Sequence, residues 1–312
     1  MSGTPGYHRE PQLSLSPSEV VFEWDIGTFV ENIAINSNDD IFVTIHNQKK
    51  VALITRNPSS GKYEASTLAE FEKPPAGIAI SSGGGVYVAS SEIGVPGGSI
   101  VHVDKNGVQK EIVAIPDALF LNGFTPLSDK IAFVVDSLLG KIYKINLEDQ
   151  SSVTWIQDTA LTKISDVPLL PGINGIKVYN NFVYFTNTDR AQIYRIPILP
   201  DGTAGQIELV ADEFRGDDFA FSENGNLYVT THIHESVVRL TSSNGERATI
   251  AGPQEGLQGS TAAAFGQTEG NRETLFVTTT GGIINPSDGV IRNAKLVKIN
   301  VGERGLKFGP LI

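Results

Sequence analysis

Apolar residues along the chain recur in short β-branched runs broken by Gly, Asn and Asp, and few stretches carry helical spacing. That is a pattern of strands. The runs also repeat. A polar or small residue, a small residue and an apolar-x-apolar strand recur at Glu31-Asn32-Ile33-Ala34-Ile35, Ala76-Gly77-Ile78-Ala79-Ile80, Asn122-Gly123-Phe124-Thr125-Pro126, Asn174-Gly175-Ile176-Lys177-Val178, Asp217-Asp218-Phe219-Ala220-Phe221 and Thr261-Ala262-Ala263-Ala264-Phe265. Their starts lie 45, 46, 52, 43 and 44 residues apart. Such a period matches one four-stranded propeller blade.

Second strands follow at 41–45, 86–90, 131–136, 182–187, 227–231 and 275–280, and third strands such as 141–145 and 192–196 come next. Turn residues separate first from second strands, as in Asn38-Asp39-Asp40, Ser82-Gly83-Gly84 and Glu223-Asn224-Gly225,. The last unit ends soon after a third strand at 295–300. The run Glu19-Val20-Val21-Phe22-Glu23-Trp24 precedes the first unit and is expected to supply the missing outer strand, since an unclosed ring leaves sheet edges bare. The expectation is an all-β, six-bladed β-propeller with four antiparallel strands per blade, closed by its N-terminal strand. Residues 1–18 form an arm, 19–312 a single domain, and 307–312 a tail.

Composition narrows the function. The chain has 312 residues, 40% apolar and 19% charged, ample for one folded core,. Net charge is 24 − 35 = −11, so nucleic acid is not an expected partner. With 0 cysteines there is no disulfide or thiolate chemistry,. The N-terminus lacks an apolar signal core, and no run reaches transmembrane length. The expectation is a cytoplasmic protein without a membrane partner, or a secreted one if a leader has been removed. Monomer and dimer both stay open.

In a propeller the first strand of each blade lines the axis, so Glu31, Ala76, Asn122, Asn174, Asp217 and Thr261 meet on one face. Two carboxylates and two carboxamides, without Cys or His, suit a hard divalent cation, above all Ca²⁺, with Mg²⁺ or Mn²⁺ as further choices. Glu31, Asn122, Asn174 and Asp217 are the candidate ligands. The alternative is that Asn-Gly and Asp-Asp are turn residues alone.

Loops after the second strands open on the same face. They carry His46, Asp136, Asn187, Thr188, His232, His234 and Thr280. Strand alternation sets His232 and His234 on one side of the chain. A histidine there can serve as acid or base near neutral pH; the bland alternative is a solvated loop residue. Asp217, His232, Asp136 and Asn122 are the candidate catalytic groups, although Asp136 also reads as a turn cap. His46, Phe120, Asn187, Thr188, His234 and Thr280 are candidates for binding substrate. His8 and His102 read as structural or incidental. Loops 92–98 and 281–293 are long enough to overhang the opening. There is no Gly-x-Ser-x-Gly elbow, Walker loop or dinucleotide fingerprint.

The axial set Glu31, Asn122, Asn174 and Asp217, with the blade repeat, resembles the calcium site of gluconolactonase/regucalcin (senescence marker protein) propellers. It is similar also to those of diisopropyl fluorophosphatase and paraoxonase. The resemblance implies that Glu31, Asn174 and Asp217 hold an ion and that Asn122 holds ion or substrate. Two strings depart from the usual pattern: Glu31-Asn32-Ile33, and Asp217-Asp218 where Asp-Gly is common. They resemble a fungal natural-product branch that includes hetero-Diels–Alderases. Three functions follow. One is cyclisation of an apolar polyketide or terpenoid-type small molecule by hetero-Diels–Alder-type cycloaddition. Another is metal-dependent hydrolysis of lactones or esters. The third is ligand binding without catalysis.

Overall fold

The computed structural model describes residues 17–167 and 170–307. Most of the N-terminal arm, including His8, and the tail beyond residue 307 lie outside them. Among the described residues, 24 strands form six four-stranded antiparallel sheets. Five sheets run in chain order from the axis outward. The sixth joins Ser260–Phe265, Thr274–Thr279 and Asn293–Asn300 to Glu19–Ile26 as its outer strand. The pairs Glu19↔Lys298 and Phe22↔Leu296 fix that register. Phe22 and Trp24 meet edge to face at 4.8 Å and pack on a core containing Ile33, Phe276 and Leu296. The N-terminal strand therefore closes the ring, as the sequence implies.

Second strands match expectation closely. Ile41–Ile45, Ile131–Asp136, Phe182–Asn187 and Leu227–Thr231 appear as read. Two strands differ by a residue at their bounds, Val86–Ser91 and Thr274–Thr279. Ile41–Ile45 and Leu227–Thr231 are buried at every position, because both faces of a blade pack on neighbouring blades. The outer strand Gln109–Ile115 is instead largely exposed.

One backbone feature positions the site. In five first strands an extra residue interrupts the pairing: between Val30 and Ile33, Pro75 and Ile78, Leu121 and Phe124, Ile173 and Ile176, and Ser260 and Ala263. Each interruption falls on the axial residue and its successor. A bulge re-aims a side chain that the pleat would point elsewhere. The fifth blade shortens its strand to Phe219–Phe221 and leaves Asp217 ahead of it.

The bulge also explains the Asn-Gly pairs. A Cβ on Gly77 would lie 2.2 Å from the Asn122 carbonyl oxygen, and one on Gly123 would lie 2.4 Å from that of Asn174. Blades two and three thus approach the next blade too closely for a side chain at this position,. Threonine hydroxyls then tie blade to blade. Thr44 donates to the Ala76 carbonyl at 2.7 Å, Thr186 to Asp217 at 2.5 Å and Thr230 to Thr261 at 2.6 Å. Thr261 donates to the Val30 carbonyl at 2.8 Å and ties the last blade to the first.

Candidate functional site

The four axial side chains are buried, each less than one-tenth exposed. Three of them form a hydrogen-bonded chain. Asn122 Nδ2 donates to Asn174 Oδ1 at 2.7 Å, and Asn174 Nδ2 donates to Asp217 Oδ1 at 2.5 Å. Asn174 Nδ2 also reaches Thr188 Oγ1 at 3.0 Å. The second Asp217 oxygen lies 3.2 Å from His232 Nδ1. Burial pushes the Asp217 carboxyl above its usual range, opposed by its hydrogen bond from His232,.

Glu31 stands apart. No described residue donates a hydrogen bond to its carboxylate. Burial first, then the charges of Asp217 and Asp218, push it well above the usual carboxylate range,. The axis thus concentrates negative charge.

Where Asn122 and Asn174 are each followed by glycine, blades one and five carry Asn32 and Asp218. These two side chains bridge the channel. Asn32 Nδ2 donates to Asp218 Oδ2 at 3.2 Å, and Lys177 Nζ donates to both Asp218 oxygens at 2.6 and 2.7 Å. The departures noted in the sequence, Glu31-Asn32 and Asp217-Asp218, therefore build a polar partition across the axis.

One wall of the site is an arc of rings. Phe120 lies 6.2 Å from His46, His46 lies 5.9 Å from Phe29, and Phe29 lies 5.8 Å from His232. All four are half-buried. Asn47 sets Phe29 in place: its Oδ1 accepts from the Phe29 amide at 2.9 Å and its Nδ2 donates to the Gly27 carbonyl at 2.7 Å. His46 Nδ1 lies 3.1 Å from the Pro75 carbonyl. Donating that proton leaves Nε2 bare, and burial holds the imidazole below its usual pKa,. His232 Nε2 faces Thr280 Oγ1 at 3.3 Å.

The structure corrects the alternation argument for His232 and His234. Both sit in a single 3-10 turn, His232–His234, where a two-residue period has no meaning,. His232 joins Asp217. His234 is half-buried, and burial, then nearby Arg215, lowers its pKa.

The remaining candidates are tied to the scaffold. Asp136 accepts from the Leu119 amide at 2.7 Å and from the amides of Leu138 and Leu139 at 3.1 and 2.9 Å. That is the capping role, with both oxygens engaged. Asn187 is fully buried and bonds the Ala160 and Thr162 carbonyls and the Arg190 amide. Thr188 donates to the Gly216 carbonyl at 2.8 Å behind Asn174. Two loops of this face are pinned in similar fashion: Asp189 accepts from Ile164, Ser165 and the Ser165 hydroxyl, and Glu235 from the Ser287 hydroxyl.

Among the described residues no three His, Cys, Asp or Glu side chains gather at a metal-sized point, so carboxamides must complete any cation shell. The donor chemistry fits a hard divalent ion: all-oxygen, with Glu31 lacking a donor. Glu31, Asn122, Asn174 and Asp217 are the residues that would hold it.

Comparison with known proteins follows this geometry. No family model matches the sequence. A Phoma sp protein named as a candidate hetero-Diels-Alderase is 24% identical over 88% of this chain and 89% of its own length. The candidate hetero-Diels-Alderase asR5 of Sarocladium schorii is 21% identical over 84% and 78%. A luciferin-regenerating enzyme superposes with a TM-score of 0.70 at 16% identity, covering 94% of this chain and 98% of that one. The calcium-binding protein regucalcin of Agrobacterium tumefaciens gives a TM-score of 0.66 at 14% identity over 95% and 98%. A gluconolactonase of Xanthomonas campestris gives 0.65 at 12% over 94% and 97%.

Phe29, Lys177 and Asp218 also contribute to the candidate site, although none of them occupies an axial repeat position or a loop after a second strand. Phe29 immediately precedes the first strand of blade one, and its backbone is held by the Asn47 side chain and by the His46 amide, which donates to its carbonyl at 2.9 Å. Lys177 and Asp218 were legible in part, since a charged residue within an axial strand calls for a partner.

Proposed function

We propose that the protein is a ring-forming biosynthetic enzyme that binds an apolar polyketide or terpenoid-type small molecule and promotes hetero-Diels–Alder-type cycloaddition. The observation that carries this reading is the arc Phe120–His46–Phe29–His232 beside the buried Asn122–Asn174–Asp217 chain. It offers flat apolar faces for a conjugated substrate next to fixed polar groups. Near-full-length likeness to two fungal candidate hetero-Diels-Alderases supports it.

The chemistry needs little from the protein beyond geometry. A heterodiene O=C–C=C and an alkene give up three π-bonds for two σ-bonds and one new π-bond, with no atom gained or lost. Holding the partners in reactive contact supplies most of the acceleration. A donor on the heterodiene oxygen adds to it by drawing electron density from the diene. His232 in its imidazolium form, with Asp217 accepting from Nδ1, would present an Nε2–H to that position,, and the bare His46 Nε2 is suited to accept a proton from a substrate hydroxyl. A bound divalent cation would supply Lewis acidity at the Glu31 end.

The test compares rate and diastereomer ratio for an ortho-quinone methide precursor and an electron-rich alkene, with and without protein. Acceleration and a narrowed product ratio are expected, both reduced in Phe29→Ala. Product ratios identical to those of the uncatalysed reaction would reject the reading.

A second reading rests on Glu31 and the oxygen-rich axis: calcium-dependent hydrolysis of a lactone or ester. Here EDTA should abolish turnover, and Ca²⁺ should raise the melting temperature of wild type but not of Glu31→Gln. Cycloaddition that survives EDTA separates the two.

A further inference from the structure

A second space lies at the other end of the axis. The far halves of the six first strands enclose a cavity of about 130 Å³. Ile35, Ile78, Phe124, Phe221 and Phe265 give it an apolar wall. The C-terminal segment crosses its mouth at Leu306, whose amide donates to the Phe221 carbonyl at 2.9 Å.

One ammonium reaches this space from the polar partition. Lys177 lines the cavity, and its side chain stays 27% exposed. An ammonium has three N–H donors. Two go to the Asp218 oxygens at 2.6 and 2.7 Å. No oxygen of a described residue accepts the third, although the Phe219 ring centre lies 5.6 Å from Nζ,. The other lysine on the lining, Lys307, pairs with Glu269 at 3.4 Å.

Charge decides what fits. Asp218 already balances Lys177, while Glu31 and Asp217 add negative charge along the same axis. A second anion would meet that field in a low-dielectric channel. A cation would meet Lys177 itself. A neutral oxygen acceptor meets an unused donor, and the apolar wall suits hydrocarbon.

We propose that the axial cavity is a second small-molecule site, which takes a neutral apolar ketone or enone with its carbonyl oxygen on Lys177 Nζ. It lies on the face opposite Asp217 and His232 and is independent of the cycloaddition proposal.

The probes are benzylideneacetone as enone, propenylbenzene as a hydrocarbon of similar shape, and cinnamate as anion. Each is titrated into the full chain, with binding followed by ligand-observed NMR. Wild type should bind the enone saturably, with cinnamate at least about tenfold weaker. The paired variant Lys177→Met/Asp218→Asn avoids leaving a lone buried carboxylate. It should weaken the enone about tenfold and leave propenylbenzene unchanged. Ala264→Phe, at a half-buried lining position, should weaken enone and hydrocarbon alike. Absence of saturable enone binding, a preference for cinnamate, or enone affinity unchanged in the folded paired variant overturns the proposal. Should the paired variant fail to fold, Ala264→Phe decides: retained enone binding places the ligand elsewhere. Turnover is not measured, so failure here and failure of the cycloaddition reading are distinct outcomes.

Discussion

Asp217 grips His232 through Nδ1 at 3.2 Å, which leaves Nε2 facing Thr280 at 3.3 Å. A carboxylate behind the ring fixes its orientation, and Nε2 donates when both ring nitrogens carry a proton. His232→Gln should therefore lower the rate of product formation at least about tenfold while KM stays within a factor of about two, as expected for a donor acting in the transition state. Asp217→Asn should do the same and flatten the pH–rate profile. Steady-state kinetics across pH provide the check; a raised KM with kcat unchanged would assign the pair to binding instead.

Glu31 makes a stability prediction of definite sign. Burial and the charges of Asp217 and Asp218 raise its folded pKa above the unfolded value. Its contribution is then fully present below the unfolded carboxylate range and is lost as pH rises through the folded value. In EDTA, Glu31→Gln should melt at least about 2 °C above wild type at pH of about 7.5. The gap should close as pH falls to about 4. Thermal melts at both pH values test this, and a variant that melts lower at about pH 7.5 would contradict it.

Asp39 carries the opposite sign. It belongs to the turn of the first blade, at a left-handed φ of 63°. It reaches the last blade, accepting from the Gln267 amide at 2.5 Å, the Thr268 amide at 3.1 Å and Asn271 Nδ2 at 2.7 Å, as well as from the Thr268 hydroxyl. Burial pushes its carboxyl up, but these hydrogen bonds outweigh it and hold the pKa below the usual value. Stability from this latch is present above the unfolded pKa and is lost as pH falls through the folded one. Asp39→Ala should cost on the order of 2 kcal/mol at neutral pH. Its difference from wild type should shrink in acid, which denaturant melts at pH of about 7 and about 3 will show.

Asp136 and Asn187 separate scaffold from chemistry. Both are buried and bonded to loop backbone. Asp136→Ala should lower stability by about 2 kcal/mol, since it strands buried amides. Turnover per folded molecule should remain within about threefold of wild type. A loss of a hundredfold or more in correctly folded Asp136→Ala would return Asp136 to the catalytic set.

The fold was legible because a propeller writes its period into the chain. Six axial pairs, near-constant spacing and alternating strands each follow from local backbone physics, and the N-terminal run from Glu19 to Trp24 had one blade left to complete. The axial residues were legible for the same reason: the repeat sets each of them at the same position of its blade, where the first strand meets the axis. Long-range pairing was not legible. Whether Asp136 caps a loop or faces a substrate depends on where the Leu119 amide lies. Whether His232 meets Asp217 depends on a 3-10 turn that breaks the strand period. The Lys177–Asp218–Asn32 partition joins three blades, and no spacing along the chain encodes which charge finds which partner. Sequence alone determined the blades and the chemistry brought to the axis. Only the tertiary structure decided the pairing of those groups, because hydrogen bonds and ion pairs depend on distances in space that the folded ring alone sets.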